Sequence, residues 1–250
     1  MSPQSRYKSQ FTGLAHRGGG LEDFENSFSA FANAIRLGYT VIETDIQVSR
    51  DQTIYIFHDD TLDRTTTGHG LFSEKSDAEL SKITLKNGEP IPTLEAMLNK
   101  HPDTILNIDV KTDHGIAPMA DFLNTHQCHD RICLASFSTK RLNAIRQRLD
   151  HLCAFSGGQA DILRLFLGQF GLPMGKPDIC AAQVPVSHFG IPLITTRFIN
   201  HCHKLGIAVH VWTIDEEDQM RRLIAIGVDG LVTDRPSLLK AIAGKLGLPL

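Results

Sequence analysis

The chain has 250 residues, 42% of them hydrophobic, and 25 basic against 28 acidic side chains for a net charge of −3. That length and apolar content suit one large α/β barrel or two small domains with an ordinary core. The mild, mixed charge and the scattering of basic residues exclude the electrostatic footprint of a nucleic-acid binder.

Residues 1–12 are polar and basic, with no apolar stretch or small-residue cleavage site, so they read as a flexible N-terminus and the chain as cytoplasmic. No apolar run approaches the roughly 20 residues that cross a bilayer. From there, short apolar runs alternate with amphipathic stretches. The extended candidates are 14–16, 41–45, 54–58, 105–110, 132–136, 152–155, 179–184, 208–213 and 230–233. They are continuous rather than alternating, as strands covered on both faces are. Between them, Phe28, Phe31 and Ile35 share a helical face that opens near Asn26 or Ser27 and stops at Gly38. Leu142, Ile145 and Leu149 mark a second helix. Phe198, Ile199 and Cys202 mark another before Gly206, and Met220, Leu223 and Ile224 another before Gly227.

Repeated strand–helix units without a linker predict a single domain over 1–250, a TIM-type (β/α)8 barrel with an inserted segment after the third strand. Nine candidates compete for eight places, and the surplus is assigned to 152–155 or 179–184. The twelve residues between Asp45 and His58 are too few for a helix with two connections, so the chain returns extended through a turn near Arg50-Asp51. About forty-five residues then precede Ile105, an excursion long enough to form part of the pocket wall. Five cysteines (Cys128, Cys133, Cys153, Cys180, Cys202), an odd set without Cys-x-x-Cys spacing, read as buried free thiols.

The chemistry gathers at the ends of the first three runs: His16-Arg17-Gly18, Glu43-x-Asp45 and His58-Asp59. Glu43 and Asp45, two apart in a strand, point the same way. Two imidazoles and two carboxylates at successive strand ends converge on one rim, where a metal and two proton-transfer groups can share a substrate.

These motifs resemble the glycerophosphodiester phosphodiesterase family. The match runs through Ala15-His16-Arg17-Gly18, Glu25-Asn26-Ser27, Glu43-x-Asp45, His58-Asp59 and Leu62-Asp63-Arg64-Thr65. It continues through Ile91-Pro92-Thr93-Leu94-Glu95, Asp109-x-Lys111, Val211-Trp212-Thr213, Gly227-Val228-Asp229-Gly230 and Thr233-Asp234. It covers residues 13 to about 240. Three departures stand out. The usual Glu-x-Lys reads Asp109-Val110-Lys111, Pro-Glu-Asn-Thr reads Phe24-Glu25-Asn26-Ser27, and 157–177 matches no motif.

The resemblance implies hydrolysis of glycerophosphodiesters, small-molecule substrates, to sn-glycerol 3-phosphate and an alcohol. It implies Glu43, Asp45 and Asp109 as ligands of a divalent metal, and an all-oxygen set suits Mg²⁺ or Ca²⁺. Arg17 and Lys111 would neutralise phosphoryl oxygens, and His16 and His58 would serve as general acid and base in an undecided order. Trp212 would wall the pocket. His210, beside it, is intermediate between packing and function. A lysophospholipase D acting on lysophospholipids is the alternative, with the apolar stretch 162–172 touching lipid. Arg164, Gln169 and two glycines interrupt that stretch, which favours a barrel-covering helix and water-soluble diesters. A metal-dependent barrel aldolase uses similar residues, but the second histidine so soon after Glu-x-Asp speaks against it. A non-catalytic sugar-phosphate binder needs no such set. Oligomeric state is not legible.

Overall fold

The computed structural model describes Tyr7 and residues 10–250. Its strands, in chain order, are β1 (Thr12–His16), β2 (Val41–Val48), β3 (Ile54–Ile56), β4 (Ile105–Val110), β5 (Ile132–Ala135), β6 (Ala154–Phe155) and β7 (Ala181–Pro185). A short outer hairpin, β8 (Ser187–His188) and β9 (Ile191–Pro192), is followed by β10 (Ala208–Trp212) and β11 (Gly230–Thr233). The main sheet runs β6-β5-β4-β2-β1-β11-β10-β7, parallel at every step. It closes through one parallel bridge between Ser156 and Ala181. The result is an eight-stranded TIM barrel, as predicted.

Side-chain alternation divides the apolar residues between two cores. Leu14, Val41, Ile105, Cys133, Ala154, Ala181, Ala208 and Val232 fill the barrel interior. Their neighbours Ile42, Leu106, Leu134, Val209 and Leu231 pack outward beneath the helices. That double burial is why the runs are continuous. The helix after β1, Phe28–Leu37, is capped by the Ser27 side chain and ends at Gly38, whose φ of 101° lets it close the last turn. Thr139–Arg146, Thr196–Lys204 and Glu217–Ala225 match the other apolar faces, although Leu149 lies beyond its helix.

The surplus strand is Ile54–Ile56, not 152–155 or 179–184. It pairs antiparallel with the end of β2, because the short return from Asp45 leaves no room for a crossover. Candidate 152–155 contributes only Ala154–Phe155, and 179–184 becomes Ala181–Pro185. Both are barrel staves. All five cysteines are buried and free. No helix among the described residues is long and apolar enough to cross a membrane.

Most of the segment expected to be flexible, residues 1–6 and 8–9, lies outside the described residues. Tyr7, Phe11 and Thr12 are instead buried. Tyr7 donates to Asn107 Oδ1 at 3.2 Å and meets the His210 ring edge-on at 4.6 Å. Gln183 Nε2 donates to Asn107 Oδ1 at 2.9 Å and lies 3.3 Å from His210 Nδ1. These groups form a polar layer inside the barrel, and they place His210 in packing rather than in the site.

Burial of His210 depresses its pKa to about 3. The unfolded chain therefore takes up a proton near pH 6.5 that the folded chain refuses until about pH 3. Stability is complete above 6.5 and falls between those values by up to about 1.4 kcal/mol per pH unit. Denaturant melts at pH 7, 6 and 5 should show this slope, and His210→Gln should flatten it by that amount. Equal slopes in the two proteins would refute the assignment.

Candidate active site

The candidate site is assembled from residues of β1, β2 and β4 and the turns that follow them. His16 ends β1 and pairs in register with Glu43, and one step further along β2 Asp45 pairs with Asp109. The turn after His16 is unusual. Arg17 sits at φ 52° and Gly18 at 85°, and a Cβ on Gly18 would come within 2.8 Å of the Ala30 side chain. Only glycine tolerates both the backbone and the space. The turn brings the Arg17 N–H to the Glu43 carbonyl at 2.8 Å and aims its guanidinium along β2.

The charges are tightly interlocked. Lys111 Nζ lies 2.7 Å from both Asp45 Oδ1 and Asp109 Oδ2. Arg17 Nη1 donates to Glu25 Oε1 at 3.0 Å, while its Nε approaches Asp45 Oδ2 at 3.2 Å without hydrogen-bond alignment. Asn26 holds the layer beneath, donating to Asp45 Oδ2 at 3.4 Å and accepting from the Thr44 hydroxyl at 2.8 Å. Burial and the neighbouring Asp45 carboxylate push Glu43 up to about 7. Burial also raises Asp109 despite Lys111, and its Oδ1 is buried with no partner among the described residues.

Each histidine is held through Nδ1 by a carboxylate. His16 Nδ1 is 2.8 Å from Asp234 Oδ1, and His58 Nδ1 is 2.6 Å from Asp59 Oδ1. An acceptor carboxylate at Nδ1 places the proton there and leaves Nε2 for exchange. Burial lowers the His16 pKa, but Glu43 and Asp234 outweigh it and the net shift is upward. Arg64 hydrogen bonds hold Asp59 down at about 2, and they also depress Glu25 against its burial.

All eight residues singled out in the sequence line one cavity of about 820 Å³: His16, Arg17, Glu43, Asp45, His58, Asp109, Lys111 and Trp212. His58 follows the antiparallel β3 rather than ending a barrel strand, so two of the three motif runs are staves and the third is an arm. The excursion 59–104 does not wall the cavity. It builds a satellite core from Leu62, Phe72, Leu80 and Leu85, and it reaches the site only through its first residues and Arg64. The far wall comes instead from Phe137, Ile162, Phe166, Pro185 and Trp212. Trp212 meets Phe137 edge-on at 5.7 Å. The stretch 162–172 is thus a covering helix over its first part (Gln159–Gly168), with Leu165 in the core and Phe166 in the cavity.

Sequence reasoning missed the roles of Asp59, Arg64, Glu25 and Asp234. The signal for Asp234 was barrel closure itself, which sets β11 beside β1.

An eight-stranded barrel with paired imidazoles, cations and carboxylates at its carboxyl rim is the layout of a barrel hydrolase. The profile of the glycerophosphoryl diester phosphodiesterase family matches residues 16–238, and the chain belongs to that family. A probable glycerophosphodiester phosphodiesterase 2 of Mycobacterium tuberculosis is 33% identical over 92% of this chain and 89% of its own length. A glycerophosphodiester phosphodiesterase of Caldanaerobacter subterraneus subsp. tengcongensis is 28% identical over 94% of this chain and 98% of its own. The fold is shared with an Oleispira antarctica phosphodiesterase solved with its product sn-glycerol-3-phosphate, at TM-score 0.79 and 22% identity, covering 96% and 99% of the two chains. The chain is accordingly a phosphoric diester hydrolase acting on glycerophosphodiesters.

Proposed function

We propose that the enzyme hydrolyses glycerophosphodiesters to sn-glycerol 3-phosphate and an alcohol, with a divalent metal held by Glu43, Asp45 and Asp109 and proton transfer by His16 and His58. The observation that carries this reading is the pair of carboxylate-locked histidines sharing one cavity with Arg17, Lys111 and three carboxylates.

The donor set fits a hard cation. Two buried carboxylates and the half-buried Glu43 face two cations, Glu43 is pushed up to about 7, and Asp109 Oδ1 is orphaned. Among the described residues no three such side chains are already gathered around one point, because the Lys111 ammonium lies between Asp45 and Asp109. Bound there, Mg²⁺ or Ca²⁺ would supply Lewis-acid polarisation of a phosphoryl oxygen. The rest is done by the chain. Arg17 presents a planar fork and Lys111 a compact charge to the remaining phosphoryl oxygens. One histidine takes a proton at Nε2 from the attacking hydroxyl, which belongs to water or to the substrate's own glycerol. The other gives one to the departing alkoxide. Asp234 and Asp59 hold both rings in the tautomer this requires.

A panel of glycerophosphocholine, glycerophosphoethanolamine and bis(p-nitrophenyl) phosphate, assayed for glycerol 3-phosphate or nitrophenol release, tests the substrate class. Hydrolysis of the nitrophenyl diester alone would sink it. A second reading, release of the alcohol from a lysophospholipid, is favoured by the apolar wall of Phe137, Ile162, Phe166 and Pro185. Lysophosphatidylcholine in the same panel decides it, through kcat/KM relative to glycerophosphocholine.

A further inference from the structure

The motif Leu62-Asp63-Arg64-Thr65 has no part in the chemistry above, yet the inserted segment is folded around presenting its arginine. Leu62 is buried in the satellite core. The Thr66 hydroxyl donates to the Leu62 carbonyl at 2.6 Å, and Lys86 Nζ donates to the Asp63 and Arg64 carbonyls at 3.2 and 2.6 Å. The backbone of the arginine is thus fixed from both sides.

Its guanidinium then makes two forks at once. Nε and Nη2 donate to Asp59 Oδ2 and Oδ1 at 2.6 and 3.0 Å, while Nη1 and Nη2 donate to Glu25 Oε2 and Oε1 at 2.7 Å each. Asp59 Oδ1 is the same atom that holds His58 Nδ1, and Glu25 Oε1 is the same atom that receives Arg17 Nη1. Arg64 therefore stands at the centre of a continuous chain, His58–Asp59–Arg64–Glu25–Arg17, that joins a proton-transfer group to a phosphate-binding group. Those two groups come from different elements, the arm after β3 and the turn after β1. No other unbroken chain of side-chain hydrogen bonds among the described residues runs from the His58 ring to the Arg17 guanidinium.

We infer that Arg64 is a positioning residue that sets His58 and Arg17 in mutual register for the reaction, acting through Asp59 and Glu25. This rests on the phosphodiesterase reading of the site. An exposed ion pair contributes little to stability on its own, and the Arg64 side chain is 49% exposed. The value of this one lies in geometry: a double fork fixes two carboxylate planes, which a lysine ammonium cannot do. Small displacements of a catalytic group are costly, about a hundredfold for an ångström.

The test is a kinetic double-mutant cycle on glycerophosphocholine, with thermal melts alongside. Arg64→Ala and Arg64→Lys should each lower kcat/KM at least about tenfold, with the lysine giving little rescue. Asp59→Asn should act mainly on kcat and Glu25→Gln mainly on KM. Adding Arg64→Ala to Asp59→Asn should lower kcat by less than about twofold more, because the arm to His58 is already cut. If Arg64→Ala does not fold, Arg64→Gln takes its place in the cycle. Unchanged kinetics in the arginine variants would overturn the inference. So would losses that simply multiply, or full rescue by lysine. A wild-type enzyme that hydrolyses no glycerophosphodiester would instead sink the reading of the site, a result distinct from either.

Discussion

Replacing His16 with Ala is expected to lower kcat by roughly a hundredfold or more, and His58→Ala to do the same, in line with typical acid–base contributions. The expectation follows from the way the rings are held. Asp234 at 2.8 Å and Asp59 at 2.6 Å each engage Nδ1, so both rings offer Nε2 to the same cavity. When two groups act in one concerted step, losing either stops the step. The double variant should therefore be little worse than the worse single variant. Asp234→Asn should reproduce part of the His16 loss, because an amide at that place no longer fixes the tautomer. Near-normal turnover in either alanine variant, measured as kcat with saturating glycerophosphocholine, would remove that histidine from the mechanism.

Chelation is the second large effect. EDTA should abolish hydrolysis and added Mg²⁺ or Ca²⁺ should restore it. Glu43, Asp45 and Asp109 together carry more negative charge than Arg17 and Lys111 neutralise, and Asp45 is only 1% exposed. The carboxylates therefore repel one another, and a bound divalent cation would relieve that repulsion. Glu43→Ala should lose both metal and activity while keeping its melting transition. Undiminished turnover in excess chelator, with no metal found by elemental analysis of the same sample, would end the metal reading.

The barrel was legible because its staves are covered on both faces, so β2 and β4 stand out as apolar-rich segments in which acids appear at Glu43, Asp45 and Asp109. Two staves were less so, for a physical reason. Ala154–Phe155 is only two residues long, and Ala181–Pro185 carries the polar Gln183 and ends in proline, so neither makes a long apolar run. Ile54–Ile56 is equally apolar, and only the length of its connection to Asp45 separates it from a stave. At the site, residues that end strands were visible from spacing alone. Partners that meet them across the fold were not. Asp234 lies 218 positions from His16, and Arg64 39 from Glu25. Tyr7 entering the barrel interior had no periodicity to betray it.

The stitching of the barrel is uneven around its circumference. β2 and β4 align through six residue pairs, β5 and β6 through two, and β6 meets β7 at a single bridge. The six-pair ladder carries Asp45 and Asp109, and the sparsely paired steps lie at β6, next to the Gln159–Gly168 helix. The carboxylates of Asp45 and Asp109 are thus mounted side by side on the longest ladder among the described residues, where the backbone gives them the least freedom to drift apart.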